Sequence, residues 1–130
     1  MNKRQYWMIL AIAVLLGANI FAADAKARLP QLIDLGADKC IPCRMMKPIL
    51  DELSMQYVGQ FDVIFIDVWK DRAAGSIYNI RAIPTQIFFS PEGKELFRHE
   101  GFYPKDEIMK KWKELGYEFK PAPDGKSAVN

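Results

Sequence analysis

Residues 34–53 read DLGADKCIPCRMMKPILDEL and contain both cysteines of the 130-residue chain, Cys40 and Cys43. A disulfide between them would close a loop too short to restrict the unfolded chain strongly. Two thiols also fall short of the four ligands that a structural zinc site needs. The pair therefore either performs redox chemistry or does very little, and we expect no metal and no cofactor besides the Cys40–Cys43 disulfide itself.

The segments on either side of the cysteines predict a strand followed by a helix. PQLIDLG (30–36) is a short apolar run that ends in glycine, which is typical of a buried strand. Between residues 43 and 57 the apolar side chains recur at helical spacing, and Pro48 inside this helix should kink it. Cys40 would then lie at or just before the helix N-terminus, where unpaired N–H groups and the helix dipole favour a thiolate.

This position gives the two thiols different expected roles. Lys39 and Arg44 add positive charge nearby, so Cys40 is the expected attacking sulfur. Cys43 lies one turn inside the helix, where a buried thiol suits the resolution of a mixed disulfide. Pro42 fits the first helical turn because its missing N–H would have no partner there. An inert disulfide or two packed thiols remain the alternative, although a C-x-x-C pair between a strand and a helix favours redox chemistry.

Asp34 is an acid within an apolar strand, six residues before Cys40. If it is buried, its charged form is costly and its pKa should rise. It could then lie beneath the thiol pair and exchange a proton with Cys43. The alternative is a strand-edge residue that faces water.

The rest of the chain predicts a small α/β domain. FDVIFIDV (61–68) is β-branched and aromatic, which favours a central strand buried on both faces. DRAAGSIYNI (71–80) predicts a short helix begun by Asp71, and PKDEIMKKWKELG (104–116) an amphipathic one. TQIFFS (85–90) and KELFRHEG (94–101) predict a hairpin, on which His99 would be a solvated strand residue.

That order of elements predicts a mixed sheet with helices on both faces. The first two strands should be parallel and the last two antiparallel. We predict one such domain over residues 26–119, followed by a disordered tail over 120–130. The formal net charge of +2 is too small to suggest a nucleic-acid partner, and we expect a monomer.

The N-terminus predicts export. MNKRQ is basic, YWMILAIAVLLGANIFA is almost wholly apolar and AADA supplies small residues, as in a secretory signal over residues 1–25. Cleavage would follow Ala22, Ala23 or Ala25. The alternative is an uncleaved membrane anchor, because the apolar run is just long enough to span a bilayer. Both interpretations place the domain outside the cytoplasm, in the periplasm or an equivalent compartment, where a disulfide persists.

RAIPTQ (81–86) places Pro84 immediately before a strand. A trans proline simply starting the strand is the ordinary expectation, whereas a cis Ile83–Pro84 bond would mark a functional turn.

Together, DLGADKCIPCRMMKPILDEL, FIDV and IRAIPTQIFF resemble the thioredoxin family from about Leu32 to Leu115. The resemblance implies a thioredoxin-like fold with a minimal four-stranded sheet, because little chain precedes Pro30 and we expect the family's first strand and helix to be missing or truncated. It also implies that Ile83–Pro84 is cis and faces the disulfide.

The resemblance assigns roles to the residues already singled out. Cys40 would be the nucleophile, Cys43 the resolving cysteine and Asp34 the buried acid, while Pro48 matches the helix-kinking proline. The implied substrate groove comprises the backbone of Ile83, Pro84 and Gly101. From the residues themselves, we expect Ile41 and Pro42 to contact substrate beside the reactive sulfur and Lys39 to lower the pKa of that thiol.

Several positions depart from the family pattern. Lys39 and Ile41 stand where tryptophan and glycine usually flank the first cysteine. Gly36 replaces an aromatic residue, and Val63 replaces a lysine that often accompanies the buried acid. These changes bear on the redox potential and on proton transfer rather than on the fold.

The predicted function is an exported thiol–disulfide oxidoreductase that reduces protein disulfides and exchanges electrons with a membrane-borne thiol partner. An oxidase or isomerase, or a thioredoxin of cytochrome c maturation, uses the same residues. A non-enzymatic alternative is a peptide-binding module or chaperone that uses the groove around Ile41, Ile83 and Pro84.

Overall fold

The structure, a computed structural model, describes residues 28–123. Its elements are β1 (Gln31–Gly36), α1 (Ile41–Gln56), β2 (Asp62–Asp67), α2 (Arg72–Ile77), β3 (Thr85–Phe89), β4 (Glu95–Glu100) and α3 (Lys105–Glu114). The predicted signal or anchor lies outside the described residues. Within 28–123, no helix has the length and apolar character needed to cross a membrane.

The described residues form a four-stranded mixed sheet in the order β2–β1–β3–β4. β1 pairs parallel with β2, while β3 pairs antiparallel with both β1 and β4, so the predicted strand directions are confirmed. The prediction that β2 is a central strand is wrong, because it lies at the sheet edge and Phe65 in it is 45% exposed. The predicted burial on both faces also fails, because every residue of β2 is half-buried or exposed.

Two apolar clusters confirm that helices cover both faces of the sheet. One joins the inner faces of α1 and α3 to alternate sheet residues around Leu32, Phe88 and Trp112. The other joins α2 to the opposite face, through Ala74 and Ile87. Because successive side chains of a strand point to opposite faces, Leu32 of β1 faces α1 while Ile33 and Leu35 face α2.

The helix ends follow from local chemistry. Cys40 is the N-cap of α1, as the sequence predicts. The Asp71 carboxylate caps α2 by accepting a hydrogen bond from the Ala74 N–H. The chain leaves α3 through Gly116, whose φ of 91° is a conformation that glycine adopts freely.

The segment after α3 folds back along the domain. Phe119 packs against the cluster of α1 and α3, the Lys120 N–H donates to Gln60 Oε1, and the Ala122 N–H donates to the Gln56 carbonyl. These contacts place residues 120 and 122, the first part of the predicted tail, against the domain. The remainder of the predicted tail, from residue 124, lies outside the described residues.

Candidate active site

Cys40 and Cys43 are joined in a disulfide at the N-terminus of α1, with their Cα atoms 5.2 Å apart. Cys40 is half-buried, whereas Cys43 is 3% exposed. Cys40 Sγ accepts a hydrogen bond from the Cys43 N–H at 3.4 Å. The helix N-terminus therefore directs a backbone donor at the more accessible sulfur, the arrangement that stabilises negative charge on it after reduction.

Exposed side chains surround the accessible sulfur. Lys39 and Arg44 are exposed cations on either side of the pair, and Pro42 is exposed in the first helical turn. Ile41 is 74% exposed, which is unusual for a large apolar residue. The surface next to Cys40 is thus apolar and bordered by positive charge.

The Ile83–Pro84 peptide bond is cis, so this prediction of the bond's geometry is confirmed. The Gly101 N–H donates to the Pro84 carbonyl at 2.8 Å, and open space surrounds the position that a Gly101 side chain would occupy. Leu35 pairs with Thr85, so Pro84 lies beside the end of β1 that leads into the cysteine loop.

Asp34 is fully buried in β1, which excludes the water-facing alternative. Burial raises the pKa of its carboxyl to about 6, against the opposing effect of a hydrogen bond from Gln86. Gln86 Nε2 donates this bond to Asp34 Oδ1 at 2.7 Å.

Gly36 lies next to the buried sulfur on the face of β1 that also carries Asp34. A Cβ built on Gly36 would lie 3.3 Å from Cys43 Sγ and 3.1 Å from Phe65 Cε2. Asp34 precedes Gly36 by two residues and therefore projects from the same face of the sheet, about 7 Å along the strand. The acid therefore lies on the face of the sheet that carries the buried sulfur, two residues along β1 from the position that contacts it.

The structure brings in residues that the sequence analysis missed. Gln86 contacts Asp34 because β1 and β3 pair in this register. An amide inside the apolar run TQIFF was the one sequence signal that this residue has a buried polar partner. Asp67, at the end of β2, accepts hydrogen bonds from three backbone N–H groups, including that of Asp38. It thereby ties the loop before Cys40 to the sheet.

An open groove of about 590 Å³ adjoins Cys43. Ala37, Phe65 and Pro48 form its apolar walls, and Arg44 lies at its border. The groove therefore gives access to the neighbourhood of the buried sulfur, although Gly36 itself is packed against Cys43 and Phe65 and does not line it.

Comparison with known proteins agrees with this geometry. The thioredoxin family model matches residues 13–114. Thioredoxins of Staphylococcus aureus strains Mu50 and MW2 are each 36% identical over 78 residues, which is 60% of this chain and 74% of theirs. A solved chain described as the structure of a malarial protein superposes with a TM-score of 0.63, at 18% identity, over 68% of this chain and 98% of its own.

A thioredoxin-like α/β fold with a cysteine pair at a helix N-terminus defines a class of thiol–disulfide oxidoreductases. The chain belongs to the thioredoxin family. It retains the active-site pair, Cys40 and Cys43, and is an oxidoreductase of that family. Family membership implies that its substrates are thiols or disulfides of proteins.

Proposed function

We propose that this protein is an exported thiol–disulfide oxidoreductase that works chiefly as a reductase of protein disulfides. The observation that carries the proposed thiol–disulfide exchange is the asymmetry of the pair. Cys40 is accessible and its sulfur accepts a helix N-terminal N–H, whereas Cys43 is buried beside it. An accessible, stabilised thiolate suits the first attack, and a protected thiol suits the second.

The first step leads to a mixed disulfide. The Cys40 thiolate attacks one sulfur of the substrate disulfide, so that a Cys40–substrate bond forms and the substrate S–S bond breaks. The departing substrate thiolate takes a proton from solvent. Lys39 supplies positive charge that favours the Cys40 thiolate before the attack.

The second step releases the product. The Cys43 thiol transfers its proton to the Asp34 carboxylate and attacks Cys40 Sγ. The Cys40–Cys43 bond forms, and the second substrate thiolate leaves and is protonated. The substrate gains two electrons and two protons, which a membrane-borne dithiol donor must later return to the pair.

The substrate would bind across the disulfide as an added strand. Ile83 offers backbone hydrogen-bonding groups next to cis Pro84, and Gly101 leaves open space beside them. The exposed Ile41 and Pro42 provide apolar contact from the helix side. Such contacts would depend on the backbone of the substrate rather than on its side chains, which suits a range of unfolded or extended substrates.

Export rests on the order of basic, apolar and small residues at the N-terminus. Cell fractionation together with N-terminal sequencing of the purified protein tests it. A start after Ala22, Ala23 or Ala25 in the periplasmic fraction supports a cleaved signal, and an intact chain in the membrane fraction supports an anchor. Recovery of the intact chain in the cytosol contradicts export.

The first chemical test uses cysteine variants with a protein disulfide, such as that of insulin, as substrate. Cys43→Ser should trap a mixed disulfide through Cys40, and Cys40→Ser should trap none and lose turnover. The opposite pattern would reverse the two roles. Full biological activity of Cys40→Ser would instead indicate a binding module or chaperone.

The direction of electron flow is tested by equilibrating the Cys40–Cys43 pair with glutathione or dithiothreitol. A potential near thioredoxin's, about −270 mV, supports a reductase. A potential near about −120 mV would make the protein a disulfide donor, because a stabilised thiolate makes the disulfide a stronger oxidant. That result would overturn the proposed direction while leaving the cysteine roles intact.

A further inference from the structure

Gln86 is a fully buried amide in the centre of the sheet. In the strand register it lies opposite Asp34 of β1 on one side and opposite His99 of β4 on the other. A buried amide is unfavourable unless its hydrogen bonds are made. Its position therefore depends on what it binds.

The amide contacts only one of the two carboxylate oxygens of Asp34. Gln86 Nε2 donates to Oδ1 at 2.7 Å. Among the described residues, Asp34 Oδ2 has no hydrogen-bond partner, and neither has Gln86 Oε1. One carboxylate oxygen is thus held in place, while the other is buried, unpartnered and able to take a proton.

The unpartnered oxygen belongs to a side chain on the face that carries the disulfide. Asp34 and Gly36 project from the same face of β1, and a Gly36 Cβ would lie 3.3 Å from Cys43 Sγ. Gln86 approaches Asp34 from β3, on the opposite side of β1 from Phe65 of β2, which lies with Cys43 against Gly36.

We propose that Gln86 is a positioning residue for the proton-transfer step, holding the Asp34 carboxylate by Oδ1 so that Oδ2 accepts the proton of the Cys43 thiol. This inference rests on the proposed role of Asp34 as proton acceptor. No electron passes through Gln86. The S–H bond of Cys43 breaks, an O–H bond forms on Asp34, and the new thiolate attacks Cys40 Sγ.

The amide also affects the charge of Asp34. A donated N–H stabilises the carboxylate, so loss of Gln86 should raise the Asp34 pKa above its value of about 6. Side chains from the neighbouring elements surround Asp34 and Gln86. They are Phe65 and Asp67 on β2, His99 on β4, Tyr103 in the loop before α3, and Cys43 and Met46 on α1. Among the described residues, Gln86 is the one that donates a hydrogen bond to the Asp34 side chain.

The experiment compares Gln86→Met, which keeps the length and burial of the side chain, with the wild-type full chain. The Asp34 carboxyl is titrated by NMR in the reduced protein. The second phase of thionitrobenzoate release after mixing with Ellman's reagent reports resolution by Cys43. Loss of one hydrogen bond to a charged group should raise the Asp34 titration midpoint by about one to two pH units. Resolution at neutral pH should slow by roughly two- to tenfold, with no difference at about pH 9.

Asp34→Asn, alone and combined with Gln86→Met, shows whether Gln86 acts through the Asp34 carboxylate or through packing in general. In the Asp34→Asn background, Gln86→Met should leave the pH profile of resolution unchanged, because its effect passes through the carboxylate. Gln86→Glu is the second variant should Gln86→Met not fold, and its added acid should also raise the titration midpoint. An unshifted midpoint in a folded variant overturns the inference.

The same data set distinguishes this inference from the proposed function. If Asp34→Asn resolves mixed disulfides at the wild-type rate and pH profile, Asp34 is not the proton acceptor and the proposed mechanism fails with it. If Asp34→Asn slows resolution but Gln86→Met moves neither midpoint nor profile, only the role of Gln86 is refuted.

Discussion

The burial of Asp34 predicts that neutralising this one side chain makes the protein more stable above its pKa. Burial raises the pKa of the Asp34 carboxyl from its ordinary value of 3.8 to about 6 in the folded protein. An acid with a raised pKa binds more protons in the folded than in the unfolded state, so stability falls as the pH rises through that window. A shift of about two pH units corresponds to about 3 kcal/mol at neutral pH.

Asp34→Asn removes the charge while keeping an oxygen that can accept the Gln86 hydrogen bond. We expect the free energy of unfolding of the oxidised variant to exceed that of the wild type by up to about 3 kcal/mol at about pH 8. The difference should shrink as the pH falls and vanish near pH 4, where the wild-type carboxyl is itself protonated. Urea unfolding followed by circular dichroism, at several values between these limits, measures it.

Asp62→Asn is the matched control, because it makes the same change in the neighbouring strand at an exposed position. It should alter stability little and without this pH dependence. A gain for Asp34→Asn that is equal at all pH values would contradict the reasoning, since it would point to packing rather than to the burial of a charge. Destabilisation at about pH 8 would contradict it more directly.

Three further substitutions test the surroundings of the site. Gly36→Ala places a Cβ 3.2 Å from Cys43 Cβ and should lower the free energy of unfolding, measured in urea, by about 1–3 kcal/mol. Its control is Gly75→Ala in α2, where a Cβ meets only ordinary contact and should cost no stability. Gly101→Ala, at a φ of 98°, should lose about 1–3 kcal/mol and reduce insulin more slowly. Trp112→Leu, fully buried, should lose at least about 2 kcal/mol, and thermal unfolding should show almost no change for the exposed Trp69→Leu.

The sequence predicts much of the fold because its signals are local. The periodicity of α1 and α3, the turn between β3 and β4 and the cap at Asp71 each depend on a few neighbouring residues. The position of Cys40 at the start of α1 follows from the same kind of signal. These features could be inferred without knowledge of which strands pair.

Features that depend on strand pairing could not be inferred in this way. β2 has the composition of a central strand, yet it lies at the edge, because strand order is a property of the whole sheet. Gln86 and Asp34 each interrupt an apolar strand 52 residues apart. Only the register of β1 with β3 turns two isolated polar residues into one buried pair.

The buried pair links the stability of the protein to its proposed chemistry. Between pH 3.8 and about 6 the folded protein retains a proton on Asp34 that the unfolded chain releases. Above that range Asp34 is the carboxylate that the proposed proton transfer requires, and the buried charge then lowers the free energy of unfolding by its full amount. If Gln86 stabilises that carboxylate, it lessens the cost and extends the active range to lower pH at the same time. Gln86→Met should therefore lower stability at neutral pH and slow resolution together, and a variant that changed one without the other would separate the two effects.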